Sequence, residues 1–242
     1  MPDDSPSRTA PPAASAAPGL DPRVAIAPSG RLDLPVSHGR LEALLKEPPA
    51  PQRAAVVCHP HPQAGGTMNN NVVYRVAKAL HDRGTAVLRF NFRGVGRSTG
   101  SYGEGVAECE DAQAALDFMA ARHPNLPLWM AGFSFGARVG LVTGIRDPRV
   151  SRLLGVGLAV RMFDLTFLEG PRGGKPLAVI QGANDEYGDR ADIERLVAKL
   201  DEPKRLAIVE GATHLFPGKL DELESAAGEA IAWLDATDAR PI

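Results

Sequence analysis

Four short apolar runs, at residues 54–58, 86–90, 126–131 and 177–181, constrain this chain more than any other feature. Each is shorter than a buried helix needs and lacks the apolar–polar alternation of a strand wetted on one face, so each reads as a strand buried on both faces. Residues 153–160 and 206–209 are further strand candidates. Between the runs lie stretches with apolar residues three and four apart, which predict helices: Val72, Val73, Val76, Ala77 and Leu80; Ala112, Leu116 and Met119; Ile193, Leu196, Val197 and Leu200; Ile231 and Leu234. Strand and helix in such regular alternation imply crossover units on a mostly parallel sheet with helices on both faces, an α/β architecture. Ahead of them, residues 31–36 and 40–46 flank Ser-His-Gly and predict a hairpin. Residues 1–22 differ: six prolines, five alanines and three serines, with little apolar bulk beyond Leu20, bury too little to offset ordering. A disordered tail is expected at 1–22 and one domain at 23–242.

Composition then removes several classes of function. Lys and Arg number 27 against 29 Asp and Glu, so no positive field exists to hold a polyanion, and nucleic acid is not expected as a partner. No apolar run approaches the roughly 20 residues that cross a bilayer, so membrane insertion is not expected either. Cys58 and Cys109 lie far apart in apolar-looking segments, which fits neither a disulfide framework nor a cysteine zinc site and points to a reducing, cytoplasmic setting.

The first chemical signal is G-F-S-F-G at residues 132–136, placed directly after an apolar run and directly before a helical stretch. A serine on so sharp a strand-to-helix turn needs a strained backbone, with small residues on either side so that neighbouring elements approach it. Gly132 and Gly136 supply that room, and the turn presents Ser134 at the positive end of the following helix. The competing structural reading is a glycine-rich strand exit with a helix-capping serine. A serine hydroxyl is a weak nucleophile until a base takes its proton and a third group fixes that base. His214, in G-A-T-H-L-F after residues 206–209, is the candidate base. Asp185, in Q-G-A-N-D-E after residues 177–181, is the candidate partner. Glu186 and Asp189 compete in the same loop, and Asp185 is preferred because it lies nearest the strand end.

The loop V-V-C-H-P-H-P-Q-A-G-G-T-M-N-N-N at 56–71 also ends a strand. A developing oxyanion needs two N–H donors, one from the residue after the nucleophile, Phe135, and one from such a loop. Pro60 and Pro62 have no N–H, which leaves His61 between them as the second donor. The H-x-H spacing of His59 and His61, with Asp185 and His214, also suits zinc. The reading taken is no metal and no cofactor, since a histidine that abstracts the serine proton cannot also carry a metal. A glycine cluster, N-F-R-G-V-G-R-S-T-G at 91–100, does not fit the dinucleotide fingerprint and reads as a structural turn. Its Arg93 and Arg97 have the charge to meet an acidic substrate.

Taken together, these residues resemble the α/β-hydrolase superfamily, and more narrowly a small bacterial family of capless, esterase-like hydrolases. The resemblance covers roughly residues 30–236. It rests on H-P-H-P-x-x-G-G-T-M-x-N at 59–70, F-N-F-R-G-V-G-R-S-x-G at 90–100, G-F-S-F-G, F-D-L-T-F-L at 163–168, Q-G-A-N-D and G-A-T-H-L-F. It implies a parallel central sheet, no metal, Ser134 as nucleophile, His214 as base, Asp185 as its partner, and an oxyanion hole at the His61 and Phe135 amides. The segment between Val160 and Leu177 is too short for a helical lid, which predicts an open cleft with Phe163 and Phe216 as wall residues. The function expected is hydrolysis of a small-molecule carboxylic ester, with thioesters and amides as related substrates. Acyl transfer by the same triad and a non-catalytic binding module on this fold are the alternatives.

Overall fold

A computed structural model describes residues 29–237, and the tail expected at 1–22 lies outside them. Eight strands form one sheet: β1 (Ser29–Val36), β2 (Gly39–Lys46), β3 (Arg53–Cys58), β4 (Thr85–Phe90), β5 (Leu128–Phe133), β6 (Val150–Val156), β7 (Leu177–Gly182) and β8 (Lys204–Val209). Their order across the sheet is β1-β2-β4-β3-β5-β6-β7-β8. The predicted hairpin is β1 with β2, which joins β4 antiparallel; every pairing from β4 to β8 is parallel.

Every side chain of β3, β5 and β7 is buried, because both faces of the sheet are covered. Helices α2 (Glu108–Arg122), α3 (Phe135–Arg146) and α4 (Arg190–Ala198) pack on one face; α1 (Asn71–His81) and α5 (Leu220–Ala236) pack on the other. Along β3 the pleat sends Ala54, Val56 and Cys58 into the first layer and Ala55 and Val57 into the second. Helix α1 starts where it does because the Asn70 side chain accepts the N–H groups of Val72 and Val73.

Strand bounds differ from the apolar runs that announced them, most at β5 and β6. β5 begins at Leu128, since Pro127 has no N–H to give a ladder. β6 ends at Val156, and the apolar Leu158 and Ala159 are buried under a loop rather than in the sheet. The connection from β6 to β7 holds only one short 3₁₀ turn, Thr166–Glu169, so among the described residues no lid covers the sheet.

β3 lies between β4 and β5, so the chain leaves it in opposite directions across the sheet. At such a reversal the loops beyond the carboxyl ends of neighbouring strands part to leave a crevice, the usual place for a site in an open α/β sheet. The glycine cluster at 91–100 is a structural turn beside it. Its arginines are paired within the protein: Arg93 grips Asp111 through Nε and Nη2 at 3.0 and 2.7 Å, and Arg97 pairs with Asp33 at 3.0 Å. Asp111 is fully buried and also accepts the Arg93 N–H at 2.8 Å and meets His38 Nε2 at 3.0 Å, fastening hairpin, turn and α2 together. Removing this carboxylate strands a shielded guanidinium, so Asp111→Ala is expected to cost about 3 kcal/mol, read as a lower urea midpoint with unchanged slope.

Candidate active site

The chain turns from β5 into α3 through Ser134, whose φ of 56° and ψ of −121° are far from any relaxed region for a residue with a side chain. The two flanking glycines make this possible. A Cβ on Gly132 would stand 2.2 Å from the Gly136 carbonyl oxygen, and one on Gly136 would stand 2.3 Å from that of His59. The Ser134 N–H donates to Val156 at 2.9 Å, tying the turn to β6. Its hydroxyl does not cap α3, which disposes of the capping reading. The oxygen lies instead 2.9 Å from His214 Nε2.

His214 follows β8 and Asp185 follows β7, so both reach the same edge of the sheet as Ser134. The other ring nitrogen, Nδ1, lies 2.8 Å from Asp185 Oδ2. A carboxylate only accepts, so the ring proton sits on Nδ1 and the lone pair of Nε2 faces the serine hydroxyl. Asp185 is held by two more donors, the Tyr187 N–H at 2.9 Å on Oδ1 and the Gln181 amide at 2.9 Å on Oδ2. Phe133 and Tyr187 flank the imidazole, the latter edge-on with ring centroids 4.8 Å apart. Of the three acids in this loop, only Asp185 reaches the ring. Glu186 accepts the His214 backbone N–H at 3.1 Å. Burial alone would raise its carboxyl, but its own and the His214 N–H outweigh that and hold it below the ordinary range. Asp189 caps α4 and pairs with Arg161.

The loop after β3 carries the second predicted donor. His59 Nε2 accepts the Phe92 N–H at 3.0 Å, so its proton is on Nδ1, 2.6 Å from the Pro60 oxygen. The ring bonds β4's exit to the loop. Burial pushes its pKa down from 6.5 to about 4, so it stays neutral. The His61 carbonyl accepts from Ala64 and Gly66, closing the turn around it. The N–H groups of His61 and Phe135 have no protein acceptor among the described residues. They belong to adjoining segments, with the two rings 5.0 Å apart, and the Phe135 amide opens helix α3 where partial positive charge gathers. The residues of the zinc alternative are not gathered around a common point: no cluster of three His, Cys, Asp or Glu able to hold a metal occurs among the described residues.

Around this edge the predicted wall residues part company. Phe163 is half-buried and stands 6.4 Å from the His61 ring and 5.9 Å from that of Phe135. Phe216 does not line the cleft. It is 0% exposed and packs in the core layer with Val209, Ala212 and Leu223. The tight turn after His214, with Phe216 at φ 53°, sends this side chain under the sheet edge and leaves Leu215 facing solvent. Met162 and Tyr187 are also exposed. Gln181, Tyr187 and Tyr102 escaped sequence reasoning. Gln181 had a signal, a polar side chain closing an otherwise apolar strand, whereas the two tyrosines sit in loops with no period to mark them.

Comparison with known proteins is consistent with this geometry. The model of the S33 serine aminopeptidase family, Hydrolase_4, matches residues 50–169. An uncharacterized protein of Rickettsia prowazekii is 37% identical over 204 residues, 80% of this chain and 85% of the relative. A lidless α/β serine hydrolase from Xanthomonas campestris superposes with a TM-score of 0.79 at 32% identity, over 88% of this chain and 98% of that one. An α/β serine hydrolase homologue from Coxiella burnetii gives 0.76 at 34%, over 83% and 96%.

Two outcomes follow from the local geometry. Gly136→Ala forces backbone apart from backbone, and about 2 kcal/mol of lost stability is expected in chemical denaturation. For His59 the folded value lies below the unfolded one, so between pH 6.5 and about 4 the unfolded chain binds a proton that the folded chain refuses. Stability should fall with pH across that window by up to about 3 kcal/mol, and His59→Gln should flatten that part of the stability profile.

Proposed function

This chain belongs to the α/β-hydrolase superfamily, among its serine hydrolases, and on that premise we propose that it cleaves a small-molecule carboxylic ester at Ser134. The observation that carries the proposal is the buried relay from Asp185 Oδ2 through His214 to Ser134 Oγ, with steps of 2.8 and 2.9 Å. The second lies within the range in which a base can take a hydroxyl proton, and the first lets the carboxylate accept the ring N–H.

In this reading Ser134 Oγ attacks the ester carbonyl carbon while its proton passes to His214 Nε2. Asp185 holds the ring in the required tautomer and stabilises the imidazolium. The carbonyl oxygen becomes an oxyanion beside the His61 and Phe135 N–H groups, which face no competing protein acceptor among the described residues. Each such donor is worth on the order of 100- to 1000-fold in rate. The tetrahedral species then expels the alkoxide, which takes the proton from Nε2, and an acyl-serine remains. Water enters, gives a proton to His214 and attacks the acyl carbon; the acid leaves and the serine regains its proton. Phe163, whose ring neighbours those of His61 and Phe135, is the wall residue against which an acyl or alcohol portion would rest. We also place the protein in the cytoplasm, a reading supported by Cys58 and Cys109 both being free thiols. No helix among the described residues is long and apolar enough to cross a membrane.

Ser134→Ala should lower kcat/KM for a p-nitrophenyl ester by at least about 1000-fold with an unchanged circular dichroism spectrum. Labelling by a fluorophosphonate should vanish in His214→Ala. Near-normal turnover by the Ser134 variant would exclude the mechanism.

A further inference from the structure

The loop after β4 brings Tyr102 against the two residues whose amides are proposed to hold the oxyanion. Its ring lies 5.1 Å from that of His61 and 6.0 Å from that of Phe135, and its hydroxyl oxygen lies 3.1 Å from His61 Nε2. The direction of that bond can be worked out. The Gln63 N–H donates to His61 Nδ1 at 3.2 Å, so Nδ1 carries a lone pair and the proton of the neutral ring is on Nε2. His61 therefore donates to the tyrosine oxygen. Burial holds the imidazole below its ordinary range, against the opposing pull of Glu108, which keeps the ring neutral. Burial likewise raises the Tyr102 phenol, so it keeps its hydrogen. That hydrogen has no acceptor among the described residues. A half-buried phenol fixed by the bond it accepts keeps its own O–H free to donate, to solvent or to a ligand seated beside His61 and Phe135.

The charges around Tyr102 narrow the partner. Glu104 and Glu108 both act on the phenol, and Arg138 is the cation opposed to them. Glu108 is fully buried and binds the N–H groups of Gly103 and Gly105, both at 2.8 Å, so its charge is a fixed part of the loop. Two carboxylates against one guanidinium disfavour an anionic ligand group and suit a neutral oxygen. Resting on the ester reading above, we propose that Tyr102 is a specificity-determining donor to an uncharged oxygen of the substrate near the scissile carbonyl. The preferred esters then carry a hydroxyl, keto, ether or second ester oxygen on the acyl or the alcohol side.

The test uses two matched pairs that exchange one CH₂ for one oxygen: p-nitrophenyl butanoate with p-nitrophenyl methoxyacetate, and pentyl acetate with 2-(ethoxy)ethyl acetate. For each pair the ratio of kcat/KM, oxygen-bearing over plain, is measured in the unaltered protein and in Tyr102→Phe. Intrinsic reactivity and the fraction of folded enzyme cancel between the two ratios. In at least one pair the ratio should fall about five- to tenfold in the variant. Ratios unchanged within twofold in both pairs overturn the proposal, because a ring that only packs slows both esters alike. Failure of the unaltered protein to turn over any of the four esters or to take a fluorophosphonate label strikes at the ester reading itself, and this proposal falls with it.

Discussion

The backbone contact at Ser134 sets the terms for everything around it. With carbonyl oxygens of Gly136 and His59 standing where Cβ atoms of residues 132 and 136 would be, the turn, the exit of β3 and the start of α3 are pressed together without intervening side chains. That compression gives a side-chain-bearing residue a φ of 56°, a conformation costing on the order of 1–3 kcal/mol that survives only where its surroundings leave no alternative. The same compression sets Gly136, the second residue of α3, against the backbone of Cys58 and His59 at the exit of β3. Strain at the serine and the close approach of these two segments are one feature of the packing.

Polar groups buried around the site serve the loops more than the reaction. His59 ties the exit of β4 to the Pro60 carbonyl. Gln181 receives the Leu158 N–H on its oxygen and gives its amide to Asp185 and Gly188, linking the loops after β6 and β7. Glu108 closes the loop that carries Tyr102, and Asp111 fastens the turn before it. Each has its hydrogen bonds met inside the protein, the condition under which buried polarity rigidifies rather than destabilises. Such anchoring lets loops without regular structure hold groups to the tolerance that a proton transfer requires.

The sheet was legible because strands buried on both faces must be continuously apolar, and few other structures give that signature at this length. The serine turn was legible because its glycines answer a steric demand that is local in sequence. Asp185 and His214 could be chosen because each follows a strand, and strands of a parallel sheet deliver their ends to one edge. Phe216 was misjudged for the complementary reason. Sequence places it two residues from His214, but which side of a tight turn a side chain takes is decided by φ at that turn, and Leu215 faces solvent in its place. Arg93 was ambiguous because its partner, Asp111, lies 18 residues away on a helix, and charge alone does not reveal pairing.

An open sheet edge changes what has to supply selectivity. A lid excludes water by closing, whereas here the connection between β6 and β7 has only a 3₁₀ turn. On the function proposed above, discrimination falls to the side chains that the loops around the serine carry. These come from separate strand ends: His61 after β3, Tyr102 after β4, Phe163 after β6, Tyr187 after β7 and Leu215 after β8. The residues that fasten these loops, His59, Glu108 and Gln181, are buried and distinct from the ones that face the crevice. With the anchors distinct from these exposed or half-buried side chains, one of the latter can change while its loop, and the strained serine turn, keep their positions.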